Sequence, residues 1–244
     1  MSISVDLILR YLVSPAFLRG AGMTLLLTVV AMTLGILIGF LIAILQEMRF
    51  KAAHALAILY LWLFRGTPVL LQIIFVFNVL PSFGLILSGF ASAVVALSLN
   101  EGAYMAEILR SGLQAVKRGQ RTAGLALGMR NWQVVRHIVI PQALRIILPP
   151  TGNQMIGMLK LSALVSVIAV EELLLVANQT ASANFKYLEA LTAAGVYYLA
   201  MTTIFMVLVA LAERSLAARR RRPVTRISFT QRLLGATGGS AAVR

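Results

Sequence analysis

The sequence predicts an all-α, polytopic membrane protein with five transmembrane helices, its N-terminus outside and its C-terminus cytoplasmic. Three observations carry this prediction. Of 244 residues, 59% are apolar and only 12% are charged, about half the charged share of a soluble globular domain; mean hydropathy is +0.88. Stretches nearly free of charge recur along the chain, each long enough for the ~20 residues that cross a hydrocarbon core. The basic residues behind the net charge of +14 gather in segments that alternate spans would place on one side. This composition excludes a disordered chain and an ordinary cytosolic enzyme. With no cysteine and two histidines, it also excludes a disulfide scaffold, a thiolate nucleophile and a zinc finger. No catalytic or metal-ligating residue is assigned.

Residues 1–19 read as an outer interfacial segment, in which Leu7, Ile8, Tyr11 and Leu12 recur at the spacing of a short surface helix. Asp6 and Arg10 interrupt the apolar run, so no secretory signal is read there. Residues 23–45 carry no charge and form span one; Gly35 and Gly39 make a GxxxG pair in it, which either permits close helix packing or is incidental. Residues 66–100 are also charge-free but too long for one helix. Pro81-Ser82-Phe83-Gly84 and Ser88-Gly89 divide them into span two at 56–80, containing Arg65, and span three at 90–109. Span four covers 146–170 with Lys160 as its single charge, and span five covers 190–212. Residues 20–215 thus form one transmembrane domain. Residues 216–244 form a basic cytoplasmic tail, Gly-rich, small and polar beyond Ser228 and in part disordered.

Orientation follows from the loops. Arg49 and Lys51 lie between spans one and two. Arg110, Lys117, Arg118, Arg121, Arg130, Arg136 and Arg145 lie between three and four, and Arg214 and the arginine run at 219–222 follow span five. The loop between spans two and three is uncharged, and the next outer loop has Lys186 against Glu189. Arg10 and Arg19 oppose this bias only weakly. Beside a span, the arginine run is a positive-inside stop that attracts anionic lipid, not a nucleic-acid site.

The segment 110–145 is the longest polar stretch. Residues 122–127 carry a short helical pattern, Gly128 stands where a left-handed residue would end it, Asn131 can cap a second helix over 132–140, and Pro141 closes or kinks that helix. Helix, glycine turn, helix on a membrane surface suits docking of a soluble partner, or a helix resting on headgroups.

The segment resembles the EAA loop of ABC importer permeases (Glu-Ala-Ala, three residues, Gly, nine residues, Ile-x-Leu-Pro). The matching positions are Thr122-Ala123-Gly124, Gly128, Ile138, Ile140 and Pro141. Ala103-Tyr104-Met105-Ala106-Glu107-Ile108, the Gly112-Leu113-Gln114-Ala115-Val116 run, Arg118-Gly119-Gln120, Pro141-Gln142-Ala143-Leu144-Arg145, Pro149-Pro150-Thr151-Gly152-Asn153-Gln154 and Arg65-Gly66-Thr67-Pro68 are similar to the polar amino-acid branch (histidine, glutamine, arginine, opine type). The resemblance covers residues 20–215. Three departures stand out: Thr122 replaces the opening glutamate, where a Thr can cap the same helix, and Gly124 replaces the second alanine. Leu161 stands in Lys160-Leu161-Ser162-Ala163-Leu164 where many relatives have an acid, which weakens a cationic substrate.

The resemblance implies a membrane permease subunit of an ATP-driven importer for a polar amino acid, with another small solute (an osmolyte or opine) or a membrane scaffold as alternatives. It implies ABC ATPase subunits, a second permease subunit (identical or sister), an extracytoplasmic solute-binding protein and membrane lipid as partners, with no nucleic acid, in a bacterial inner membrane. Thr122, Ala123, Gly124, Leu125, Ala126, Leu127, Gly128 and Pro141 would couple to the ATPase. The chain has no GxxxxGK[ST] phosphate loop, so no cofactor is assigned to it, ATP and Mg belong to the partner, and the chain itself is no enzyme. Arg65, Thr67, Gln72, Asn100, Glu101, Gln154, Lys160 and Ser162 are the substrate-path candidates, because polar groups at membrane depth need a partner or a wet cavity. Ion pairing between helices, for example Glu101 or Glu107 with Arg65 or Lys160, is the other use open to the charged ones. Glu171-Glu172 and the loop at 177–189, with Asn178, Gln179, Lys186 and Tyr187, are expected to face the binding protein.

Overall fold

The computed structural model describes residues 4–218; the arginine run at 219–222 and the Gly-rich end of the tail lie outside the described residues. Those described form ten α-helices and no strand: α1 Val5–Leu12, α2 Pro15–Glu47, α3 Lys51–Gly66, α4 Val69–Asn78, α5 Gly89–Gln114, α6 Arg118–Ala126, α7 Asn131–Val134, α8 Ile140–Leu161, α9 Leu173–Asn184 and α10 Tyr187–Ala218. The predicted all-α class holds. By length and apolarity α2 and α10 can each cross a membrane, and α3 with α4 makes a bent third candidate.

The outer interfacial segment ends sooner than the sequence suggests. α1 packs Ile8, Tyr11 and Leu12 against Phe17 and α10, and α2 starts at Pro15, whose missing N–H costs nothing in the first turn. Ser14 caps it, accepting from the Ala16 N–H at 3.3 Å. α5 lies along α2. There the two glycines of the GxxxG pair are used within the chain: a Cβ added to Gly39 would stand 2.6 Å from Met105 Cβ and 2.8 Å from the Ala106 N.

Span two is not one straight helix. α3 and α4 meet at 104°, because proline drives its preceding residue out of the helical region; Thr67 is extended at φ −117°, ψ 147°. The end of span four also differs. The helix stops at Leu161, a 3₁₀ turn follows at Ser162–Ile168, and Ala169 takes a left-handed φ of 59°. Val165 and Ile168 in that turn are buried against α2, α4 and α5. The run is therefore apolar because it is core, and hydropathy cannot separate that from lipid contact.

The outer loop expected at 177–189 is mostly α9. Asn178 is half-buried within it, while Gln179, Lys186 and Tyr187 are exposed. Glu171 is exposed, but Glu172 is buried completely and caps α9, so it does not face outward. Its carboxylate accepts from the Leu174 and Leu175 N–H groups at 2.9 and 2.8 Å and from the Tyr198 hydroxyl at 2.8 Å. The sequence shows two adjacent acids; only the fold shows that one of them binds α9 to α10.

Gly39→Ala should lower the melting temperature of the purified chain in detergent by several degrees, since overpacking costs about 1–3 kcal/mol. Gly22→Ala, where the added Cβ meets nothing within 4 Å, should not. Equal melting of both variants would refute the close α2–α5 contact.

Candidate functional site

The break between α3 and α4 is where a polar site begins. A helix end leaves carbonyls unpaired, and at membrane depth each must find a donor inside the protein. The Phe64 carbonyl receives the Gln72 and Asn100 side-chain amides, both at 3.0 Å. Gln72 Nε2 also donates to Thr67 Oγ1 at 2.8 Å and to its carbonyl at 3.2 Å, while Gln72 Oε1 accepts from Asn100 at 3.1 Å. Three helices are tied together by these side chains.

Next to Asn100 on α5, Glu101 is 2% exposed. Gln154 of α8 donates to its Oε1 at 3.3 Å, and no cation pairs with it among the described residues. A carboxylate removed from water is costly without compensation, so this group is short of partners. It lines a cavity of about 300 Å³ with Val69, Asn100, Tyr104, Gln154, Gly157, Met158 and Leu161. One carboxylate, two amides and a phenol thus converge on an otherwise apolar space, the chemistry of a small polar ligand site.

Of the predicted path residues, Asn100, Glu101 and Gln154 line the cavity. Thr67 and Gln72 stand behind it in the bracing network. Arg65 is at its edge, paired with Glu107 and with its guanidinium carbon 5.6 Å from the centre of the Tyr104 ring. Lys160 does not join the site: it is exposed and has no ion pair among the described residues. Ser162 is fully buried in the 3₁₀ turn, donating to the Leu159 carbonyl at 2.8 Å. Val69, Tyr104, Gly157, Met158 and Leu161 were not among the path candidates. Helical spacing held a signal for some of them, because Tyr104 lies three residues after Glu101, and Gly157 and Leu161 lie three and seven after Gln154.

The surface element is built differently at its start. α6 begins at Arg118, so Thr122 is not a cap; its hydroxyl donates to the Arg118 carbonyl at 3.2 Å inside the helix. Gly128 does end the turn in the left-handed region, at φ 80°. Gly124 is the buried residue of α6, and a Cβ there would lie 2.8 Å from Ile138 Cδ1. Ala123, Leu125, Ala126 and Leu127 are exposed, Leu127 at 83%, and so is Trp132 of α7 at 56%. The residue before Asn131, Arg130, is the cap of α7, and Gln133 Oε1 accepts its N–H at 2.8 Å. A π turn at Val135–Val139 precedes Pro141, which sits in the first turn of α8. It neither closes the helix nor breaks it: the wider turn absorbs the missing N–H and the crowding of the ring.

Residues 31–218 match the family described as "Binding-protein-dependent transport system inner membrane component". The chain is 37% identical over 202 residues to the glutamine transport system permease protein GlnP of Escherichia coli (strain K12), an alignment covering 82% of this chain and 92% of that one. It is 40% identical over 213 residues to the arginine transport system permease protein ArgU of Corynebacterium glutamicum, covering 81% and 67%. A solved structure described as an amino acid ABC transporter with histidines superposes with a TM-score of 0.82 at 39% identity, covering 88% of this chain and all of that one. The MetNI methionine ABC transporter, at 17% identity and a TM-score of 0.71, shares the fold.

Replacing Gln72 or Asn100 singly with Ala should each cost about 1–3 kcal/mol by leaving buried polar groups unpaired. The double variant should cost clearly less than the sum. Melting temperatures of the four proteins in one detergent measure this, and strict additivity would dissolve the network.

Proposed function

The chain belongs to the family of binding-protein-dependent transport inner membrane components, and we propose that it is the permease subunit of an ATP-driven importer for a neutral polar amino acid. Glu101 carries this reading. A buried carboxylate with, among the described residues, a single amide donor and no cation, in a cavity of about 300 Å³, is suited to an ammonium group. Asn100, Gln154 and Tyr104 offer donors and acceptors for the remaining polar atoms. An amino acid with a second cation would find only Glu101 to meet two positive charges, since Leu161 lines the same wall. The relatives do not separate the two, at 37% identity with a glutamine permease and 40% with an arginine one, so the choice of a neutral substrate rests on the cavity lining.

Five crossings, N-terminus out, put the basic segments on the cytoplasmic side, with α6, α7 and the π turn among them. The exposed Leu125, Leu127 and Trp132 are large apolar side chains on a basic segment, suited to a soluble ATPase that binds the ATP and Mg. Two permease subunits and a solute-binding protein complete the assembly. Transport then consists of biasing a two-state membrane element by ligand on one side and nucleotide on the other.

The decisive assay is ATP hydrolysis by the reconstituted assembly. A glutamine-loaded binding protein should stimulate it and an arginine-loaded one should not, with Glu101→Gln reducing the stimulation at least about tenfold while the assembly survives. Stimulation by arginine alone would overturn the neutral-substrate reading. Separately, Leu127→Glu should reduce ATPase co-purification severalfold without altering the melting of the chain, because the residue is exposed; undiminished capture would remove this residue from the docking surface.

A further inference from the structure

Beyond Glu101, α5 presents a polar residue at every turn of one side: Tyr104, Glu107, Ser111 and Gln114. Spacings of three and four residues keep one face of a helix. These four are exposed, whereas every other residue between Gly102 and Leu113 is buried or half-buried. Glu107 lies in the last turn of span three, where a charge is costly against lipid, so this side of α5 faces water or polar surface, and Ser111 and Gln114 continue it past the end of the span. Two hollows open on it: the cavity that holds Glu101 and Tyr104, and a second of about 370 Å³ lined by Glu107, Arg110, Ser111 and Gln114.

Arg65 stands at their junction. It pairs with Glu107, which belongs to the second hollow, and its guanidinium lies over Tyr104, which belongs to the first. Arg65 is also the penultimate residue of α3, immediately before the 104° break, so any change at that joint moves it. The joint has its own brace in Gln72, Asn100 and Thr67, which leaves the ion pair without a necessary structural task. Its side chains are 40% and 47% exposed, and a pair that open to solvent contributes little stability. That suits a contact broken once per cycle.

We propose that this face of α5 is the exit path from the mid-membrane cavity, and that Arg65, clasped between Tyr104 and Glu107, bars it. The inference rests on the cavity being the substrate site. A zwitterionic amino acid carries the two charges needed to exchange partners with the bar: its carboxylate competes for Arg65 and its ammonium for Glu107. The substrate leaving Glu101 can thus open the pair without exposing either charge to an apolar wall.

The chain has no native cysteine, and a Cβ at Gly157 in the cavity wall meets nothing within 4 Å. Gly157→Cys therefore reports access to the cavity. The measurement is its labelling rate by a membrane-impermeant thiol reagent in inside-out vesicles holding the assembly with its ATPase, read by mass spectrometry on this chain. Adding Arg65→Gln or Glu107→Gln should raise the rate roughly three- to tenfold, and the exchange Arg65→Glu with Glu107→Arg should bring it back toward the parent. Tyr104→Leu, which removes the ring alone, should also raise it and serves if a charge variant fails to assemble. Unchanged labelling in assembled variants, with or without a fall in melting temperature, makes the pair a brace and overturns the proposal. The readout needs no substrate, so that outcome leaves the amino-acid reading to stand or fall on the ATPase assay.

Discussion

The break at Thr67–Pro68 would leave the last carbonyls of α3 bare in a region without water, and much of the structure is arranged around supplying donors for them. The Phe64 carbonyl is met by Gln72 from α4 and Asn100 from α5. That requirement fixes three helices at one point and fixes where Asn100 sits. Glu101 then follows by one residue and is turned about a quarter of a circle around α5, toward α8 and Gln154. The position of the candidate binding carboxylate is thus a consequence of how a proline-induced break is satisfied. Satisfied polar groups lie behind the cavity wall and an under-satisfied one lies in it. A site that met all its own needs would have no affinity left for a solute.

α5 can serve as this fixed wall because α2 lies against it almost backbone to backbone. Gly35 faces the Cβ and Cγ of Glu101, and Gly39 faces Met105 and Ala106. Small residues let two helices approach until dispersion contacts form along both. The stem of Glu101 is therefore held from behind by packing, while among the described residues its carboxylate is held only by the Gln154 amide. Rigidity of the mount with freedom at the tip is what a binding group needs. On the other edge of the fold, Glu172 serves the opposite purpose, accepting from two backbone N–H groups and Tyr198. Two buried glutamates differ in role because one has its hydrogen bonds met and the other does not.

Class and chemistry were legible in the sequence; the turns of the chain at depth were not. Low charge, apolar runs and the loop pattern around Gly128 need only composition and spacing. The α3–α4 bend was written in Thr67-Pro68, but a hydropathy window passes over two residues between apolar flanks. The 3₁₀ turn at Ser162–Ile168 was hidden for a different reason, since burial in protein and burial in lipid favour the same side chains. Lys160 illustrates the limit for charges. Its depth along the span was readable, but which side of α8 it leaves from depends on a helix that carries two prolines and follows a π turn. Asn100, Glu101 and Gln154, which line the cavity, stand out in the sequence because polar groups in apolar helices need a reason; Gly157 and Leu161 do not, because apolar walls need none.

The same π turn bears on how a surface event reaches the cavity. From Asn131 to Leu161 the chain is helical without interruption, through α7, the π turn and α8. Gln154 stands 23 residues beyond Asn131, roughly 35 Å along such a run. The exposed Trp132 and the amide that holds Glu101 are therefore on one continuous element, and α6, which carries Leu125, is seated on it through the Gly124–Ile138 contact. A helix transmits displacement well along its axis, except where its hydrogen-bond ladder is weakened. Here the weak points are known: the π turn before Pro141, and Pro149-Pro150 one turn before Gln154. Bending at either would swing Gln154 relative to α5, which is pinned by α2, and so change the one hydrogen bond that the Glu101 carboxylate accepts among the described residues. A device that makes and breaks a single bond to a poorly satisfied carboxylate needs little energy to alter its affinity for an ammonium group, because the contact being traded is worth only about 1.5–3 kcal/mol. The modest strength of the Gln154–Glu101 contact is thereby a condition for moving the site at all.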